Sequence, residues 1–370
     1  MFVTKRFAVN DNEAISELLQ DLIIDRSPLV KRVMTIWIDM VDPPHFFFFR
    51  PIIEELKKSG HAVLLTAAEH TRATRLLNDF NIPHTLVGNN VGNPLSRKVT
   101  DFFKRGSLLK RYAKRKKIDR ALVFDSPSLT LAARALHIPS IVFMDYEYEP
   151  LNHLMLRLCD RVVVPQFFPD EFLLRAGAID KAIKYNGFKE QVYLSDFQPE
   201  EDFLGYLNID EHKIIVTVRP PTASYRYQRF ANGFFYKIID YLLKDTEVIV
   251  IAIINSEEQK RQFTSFNAPN LVLLNKQVDR RNLVYHSDVV VSGSVTLNHE
   301  AAVLGIPTYG LFMDKIGAVD RHLINLGRII PIETFDDVEK IQLTKAHKKD
   351  KLINHGLTTE LVNHILRSGS

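Results

Sequence analysis

The chain has one cysteine, Cys159, in 370 residues. No disulfide framework and no thiolate metal centre can be built from it, which fits a reducing, cytoplasmic compartment. No apolar run approaches the roughly 20 residues needed to span a bilayer. The opening segment MFVTKRFAVNDNEAISELLQDL has no apolar core of the signal-peptide kind. Short-period repeats and low-complexity tracts are also missing. The usual nucleotide fingerprints are absent: neither G-x-G-x-x-G after a strand nor G-x-x-x-x-G-K-[ST] occurs, which argues against a dinucleotide dehydrogenase and a P-loop ATPase. The 13 histidines include no H-x-x-x-H pair and no H-E-x-x-H, so a zinc hydrolase is not expected.

What is present is an ordinary globular composition, with 46% hydrophobic residues and a net charge of +4. The length favours two domains over one. Residues 1–33 read as an extension, with a small amphipathic helix around Ile15, Leu18, Leu19 and Leu22; Met34 is a second candidate start. From Met34 short apolar strands alternate with helices: TIWID, AVLLTAA, HTLVG, RALVFD, PSIVFMD and RVVVPQ are strands. Continuous apolar strands separated by helices imply a parallel sheet covered on both faces. The rhythm pauses at YNGFKEQVYLSDFQPEEDF, residues 185–203, then resumes with KIIVTVRPP, EVIVIAII, NLVLLN, DVVVSG and PTYGLF. The expected organisation is α/β, with two Rossmann-like domains at 34–195 and 196–335 and a C-terminal helical segment at 336–370. Open parallel sheets bind ligands at the carboxyl ends of their strands, so a cleft is expected between the two.

One stretch poses a packing problem. In DPPHFFFFRP, each phenylalanine of a helix is turned about 100° from the last, so Phe46 to Phe49 sweep about 300°. No single core can take all four rings. Phe49, Ile52, Ile53 and Leu56 fit a core face. Phe46, Phe47 or Phe48 is expected to line a cleft, meet the other domain or touch a lipid.

The strongest local feature is VVVSGSVTLNHEAAVLGIP, residues 289–307. A strand ends at Ser292-Gly293-Ser294 and a helix opens near Thr296. Small residues allow close approach to the backbone, and the free amides and positive end of a helix suit a phosphate. Glu300 lies one turn beyond Thr296 and is a candidate acceptor for ribose hydroxyls; an ordinary capped helix with Glu300 in a structural pair is the competing reading.

SGSVTLNHEAAVLGIP resembles the donor-site strand, loop and helix of GT-B glycosyltransferases and of non-hydrolysing UDP-N-acetylglucosamine 2-epimerases. Five stretches together, PHFFFFRPIIEELKKSGHAVLLTA, LHIPSIVFMDYEYE, YNGFKEQVYLSDFQP, VTVRPP and VSGSVTLNHEAAVLGIP, resemble an uncharacterised GT-B-like family of archaea and bacteria. The resemblance runs from Met34 to about residue 335. It implies the GT-B fold and a nucleotide-sugar partner. It implies glycosyl transfer to a glycan or lipid-linked acceptor, or epimerisation of the sugar, or binding without turnover. No metal and no cofactor are implied. Ser294-Val295 is bulkier than the glycine-rich turn that the family often carries.

Within that frame, Arg219 after IIVTV offers a fork-shaped cation for a diphosphate, with Ser292, Gly293, Ser294, Thr296 and Glu300 beside it. His45, placed in the loop after the first strand, is a candidate base, since imidazole titrates near neutrality. Asp145 and Glu147 end the fifth strand; two residues apart in an extended segment, they are expected to point the same way, as candidates to bind sugar hydroxyls, act as a base or hold a divalent cation. Asp125, Lys315 and Asp320 are weaker candidates.

The charge is clustered in FFKRGSLLKRYAKRKK, residues 102–117, with eight Lys or Arg and no acid. Interleaved with Phe102, Phe103, Leu108, Leu109 and Tyr112, it reads as a basic amphipathic helix suited to the inner face of a membrane. No nucleic-acid motif accompanies it, so nucleic acid is not an expected partner.

Overall fold

The computed structural model describes residues 33–89, 95–149, 151–221, 228–274, 278–312, 315–345 and 350–367. The expected helix around Ile15–Leu22 lies outside them. Thr35–Ser370 forms one compact unit.

The unit contains two all-parallel sheets. The first has seven strands in the order β3-β2-β1-β4-β5-β6-β7. They are β1 (Thr35–Met40), β2 (Ala62–Glu69), β3 (Thr85–Asn89), β4 (Arg120–Phe124), β5 (Ser140–Phe143), β6 (Arg161–Pro165) and β7 (Ala182–Tyr185). The second has six, in the order β10-β9-β8-β11-β12-β13: β8 (Ile214–Arg219), β9 (Val248–Ile253), β10 (Leu271–Leu274), β11 (Val289–Ser292), β12 (Thr308–Gly310) and β13 (Ile330–Pro331). Both orders reverse direction beside the first strand of the sheet. That leaves a crevice at the strand carboxyl ends next to β1 and β8. The strands are short, β-branched and buried on both faces, as in VVVS and IIVTVR, because helices cover both sides of a parallel sheet. β7, β13 and the helix Glu257–Thr264 were not legible in the residue pattern. AIKY and IP are too short to show a period.

The helix Pro43–Lys58 starts with two prolines, which lose nothing in a first turn whose amides have no intrahelical partner. Phe46, Phe48 and Phe49 are all buried. Phe48 and Phe49 meet Phe124 and Phe143 edge-on, with centroids 5.1–6.5 Å apart including their own contact. Phe46 packs on Phe47 and Phe80. Phe47 is the ring that leaves this core: it faces Tyr193 at 5.8 Å and the Arg281 guanidinium at 5.2 Å. None of the four lines the cleft described below, but Phe47 lines a smaller pocket with Arg50, Tyr193, Asp279 and Arg281, so the ring that leaves the core meets the other half. Phe47 thereby joins the helix to the half of the molecule that carries Arg281.

Asp39 explains how the basic helix Leu95–Ala113 is fixed. It is fully buried in β1 and accepts two hydrogen bonds from Arg105, at 2.6 and 2.7 Å, and one from the Ser126 hydroxyl at 2.6 Å. A buried carboxylate needs such partners, and a fork-shaped pair meets the need best. One of the eight cations of the 102–117 segment is thus a structural group in the core. The C-terminal helix Leu357–Arg367 returns to pack on Pro43–Lys58 and on β7.

Candidate functional site

A cleft of about 500 Å³ lies between the two halves, at the carboxyl ends of both sheets. From the first sheet's side it is lined by Asp125, Asp145, Tyr146, Glu149 and Lys189. From the second sheet's side come Arg219, Pro221, Gly293, Ser294, Val295, Thr296, Asn298, His299, Lys315 and Asp320.

The wall of the second half is built by the turn between β11 and the helix Val295–Leu304. Ser292 is fully buried; its hydroxyl accepts from the Ser294 amide at 2.8 Å, and its carbonyl accepts from Asn298 at 3.2 Å. Ser292 therefore shapes the turn from behind. Gly293 is required for a different reason than ligand approach: a Cβ there would stand 2.5 Å from the Cα of Pro221. The β8 and β11 ends approach each other only because the side chain is missing. Ser294, at the N-cap, makes no side-chain cap bond, so the first-turn amides at Val295 and Thr296 face the cleft without a side chain of their own helix covering them.

Arg219 ends β8 and reaches this wall. Its Nε is buried and has no hydrogen-bond partner among the described residues. Burial lowers its pKa to about 10; Arg280 and Arg72 push the same way, against Glu300. The guanidinium stands among like charges with too little negative charge to balance it.

Glu300 does not line the cleft. It is fully buried, gripped by Arg280 through two bonds of 2.7 Å and by the Tyr193 hydroxyl at 2.9 Å. His45 is also behind the wall. It sits in the first turn of the helix Pro43–Lys58 rather than in the preceding loop, stacked on Phe124 at 4.7 Å. Its Nε2 is 3.2 Å from Asp125, and Asp125 is the member of the pair that enters the cleft. Asp125 has a positive φ of 46°, left-handed backbone that Asp adopts more readily than most residues.

Asp145 and Glu147 do not point the same way, because β5 stops at Phe143 and the extended premise ends with it. Asp145 enters the cleft and binds Lys189. Glu147 turns away, accepting from the Ala318 amide at 3.0 Å and from Arg321 at 2.7 Å. It ties the loop after β5 to the helix Ala318–Asn325 across the cleft. Gly317 lets that helix close up, since a Cβ would meet the Tyr146 ring at 2.6 Å.

The floor of the cleft holds a chain of alternating charges, of which the residue pattern pointed only to Asp145 and Asp320. Asp145 binds Lys189; Lys189 is 3.6 Å from Glu190; Glu190 is 3.3 Å from His299 Nδ1; His299 Nε2 is 2.8 Å from Asp320. Burial would lower the His299 pKa, but Asp320 and Glu190 outweigh it and raise it to about 10. Burial would raise that of Glu190, but Lys189 and then His299 bring it down to about 2. Asp145 is shifted upward by burial, against Lys189. Asp145, Glu190 and His299 are close enough to share a cation, but the Lys189 ammonium already stands beside both carboxylates and supplies the positive charge. The signal for this group was local. Lys189 and Glu190 are adjacent opposite charges in a turn-rich stretch, and His299 lies between Asn298 and Glu300 in a helix whose residues from Leu297 on are all buried. Charged groups in buried surroundings are seldom idle.

Residues 34–367 match the family model described as a protein of unknown function, DUF354, and the chain belongs to that family. It is 28% identical over 307 residues to an uncharacterized protein of Methanocaldococcus jannaschii, covering 80% of this chain and 87% of that protein. Among solved structures it is similar to the UDP-GlcNAc 2-epimerase of the same organism, with TM-score 0.67 and 15% identity over 91% of this chain and all of the other. The UDP-GlcNAc 2-epimerase of Neisseria meningitidis, bound to UDP-GlcNAc, gives TM-score 0.69 and 14% identity over 90% of this chain and 100% of that one. Acinetobacter baumannii MurG gives 0.52 and 16%, over 91% and 95%. The fold is GT-B: two parallel α/β sheets with a cleft between them.

Proposed function

We propose that the protein is a glycosyltransferase that moves a sugar from a nucleotide-sugar to a glycan or lipid-linked acceptor. The observation that carries this reading is Arg219: a half-buried guanidinium without a hydrogen-bond partner, crowded by other arginines, beside the uncovered first-turn amides of Val295 and Thr296. An anion with several oxygens, such as a diphosphate, would satisfy both at once. On this reading residues 196–335 bind the donor and residues 34–195 present the acceptor.

In the reaction, an acceptor hydroxyl oxygen attacks the anomeric carbon and the bond from that carbon to the phosphate oxygen breaks. The hydroxyl proton passes to a base on the first half. Asp125 suits that role because it enters the cleft, and His45 holds its carboxylate from behind. Asp145 is the second candidate. The negative charge that develops on the departing diphosphate is met by Arg219 and the helix amides, with Ser294 and Thr296 beside them. Glu300 keeps Arg280 next to Arg219. Direct contact of Glu300 with a ribose would require Arg280 to release it. Glu147 acts as a strap between the halves.

A second reading is epimerisation of the nucleotide-sugar without an acceptor. It is favoured by the floor of the cleft, where Asp145 is buried in a chain of proton-carrying groups and can exchange a proton with a bound sugar. One experiment separates the readings. The protein is incubated with a panel of nucleotide-sugars, with and without acceptor glycans, and released nucleotide and sugar configuration are followed by NMR. Acceptor-dependent release supports transfer. A change at C2 without acceptor supports epimerisation. Binding with no turnover under any condition leaves a nucleotide-sugar-binding module.

A further inference from the structure

Seven exposed cations lie together on the first half, in a segment, residues 102–117, that itself contains no acid. Lys104, Lys110, Arg111, Lys114, Arg115, Lys116 and Lys117 are all exposed. None of them makes an ion pair among the described residues; Lys116 lies over the Tyr112 ring at 4.7 Å. The eighth cation of the segment, Arg105, is turned inward to Asp39, so the helix sorts its charges by face. Phe103, Ser107, Lys110 and Lys114 succeed one another at three- and four-residue spacing, which puts them on one stripe. Lys104 and Arg111 flank it. Phe102 and Leu109, on the opposite side, are buried in the core. Phe103, next to Lys104, is 50% exposed.

We propose that this stripe docks the protein on an anionic phospholipid surface. Unpaired cations gain from a negative surface potential, and a ring exposed beside them can enter the boundary between headgroups and acyl chains. Phe103 favours a lipid over a nucleic acid, whose backbone would use the charges but leave the ring in water. The position in the fold agrees. The helix Leu95–Ala113 leads from β3 to β4, so it runs antiparallel to the strands. Lys114–Lys117 therefore lie at the amino-terminal edge of the sheet, opposite the cleft. Docking along the stripe, from Phe103 to that edge, uses no residue that lines the cleft. The inference stands whichever reaction the cleft performs.

The test is sedimentation with vesicles of phosphatidylcholine alone or of phosphatidylcholine mixed with phosphatidylserine. The wild-type protein should sediment with the mixed vesicles only, and added salt should release it. Replacing Lys114, Arg115, Lys116 and Lys117 with Gln should weaken this binding by more than about tenfold. Phe103→Ser should weaken it further at a salt concentration where the wild type still binds. Thermal midpoints of both variants should match the wild type, since exposed charges contribute little to folding. Equal sedimentation of the four-site variant and the wild type would overturn the proposal. So would equal binding to the neutral vesicles, or release of the protein from mixed vesicles by a small excess of duplex DNA.

Discussion

Arg280 holds the Glu300 carboxylate through two parallel bonds of 2.7 Å. The pair is asymmetric in exposure: the Glu300 side chain is wholly buried, while that of Arg280 is 24% exposed. Removing one partner of such a pair leaves the other's charge uncompensated, and the cost depends on which is left. Arg280→Met strands the carboxylate with only the Tyr193 hydroxyl and should cost about 3–5 kcal/mol in urea unfolding. Glu300→Gln leaves a cation that can still reach water and should cost clearly less. Equal losses would mean that the pair does not carry this asymmetry.

Arg219 should behave in the opposite way. It has no hydrogen-bond partner to lose among the described residues, and Arg280 and Arg72 repel it. Arg219→Ala should leave the thermal midpoint of the ligand-free protein unchanged or raise it slightly. The same change should weaken nucleoside diphosphate binding by more than about tenfold, or about 1.4 kcal/mol, because charge-assisted bonds are lost. Calorimetry and thermal shift read both quantities on the same samples. Undiminished affinity would remove Arg219 from the phosphate site.

The His299 shift sets a pH dependence. Its folded pKa of about 10 lies above its ordinary value of 6.5. A raised pKa means that the folded state binds the proton more tightly. The stabilisation is therefore complete below about 6.5 and is lost as pH rises through 10. The unfolding midpoint should fall between pH 7 and 10, and His299→Gln should flatten that slope. The same variant should destabilise the protein at neutral pH, because Glu190 and Asp320 lose the charge between them. A slope identical to that of the wild type would place the titration elsewhere.

His45 and Asp125 give a kinetic test. If Asp125 takes the acceptor proton, Asp125→Asn should lower turnover by about 10²–10⁴-fold, the range for a lost general base. His45→Ala should lower it less, since the imidazole acts through the carboxylate. Donor affinity should stay the same in both, because the nucleotide is held by the other half. If His45→Ala has the larger effect, the imidazole itself takes the proton.

Phe48→Ala should cost about 3–5 kcal/mol, the usual range for removing a buried ring. Phe47→Ala should cost less, because that ring is only partly buried and its main partners are Tyr193 and Arg281. Comparable losses at the two positions would contradict the division of the four rings between the core and the facing half.

The candidate site was legible in the residues only where a short motif places a group by backbone alone. The turn at Ser292–Thr296 is such a case: a buried strand, small residues and a helix start determine it locally, and Gly293 to Thr296 line the cleft with Ser292 behind them. Arg219, at the end of an apolar strand, is another. Glu147 was misread because the end of β5 came two residues too late in the sequence reading. His45, Glu147 and Glu300 all stand behind the wall, since spacing says which face of an element a residue occupies but not what stands opposite that face.

The sequence by itself determined the repeating strand and helix pattern, the parallel sheets and the position of the loops at their carboxyl ends. Those follow from hydrophobic periodicity and turn chemistry, which act over a few residues. Only the tertiary structure decided the charge chain from Asp145 through Lys189, Glu190 and His299 to Asp320. Its members come from segments as far apart as residues 145 and 320, and no local period links them. They become one network because the two sheets exclude water from the space between them. In that space each charge must find a partner, and the partners are whichever side chains the packing of both halves brings within reach.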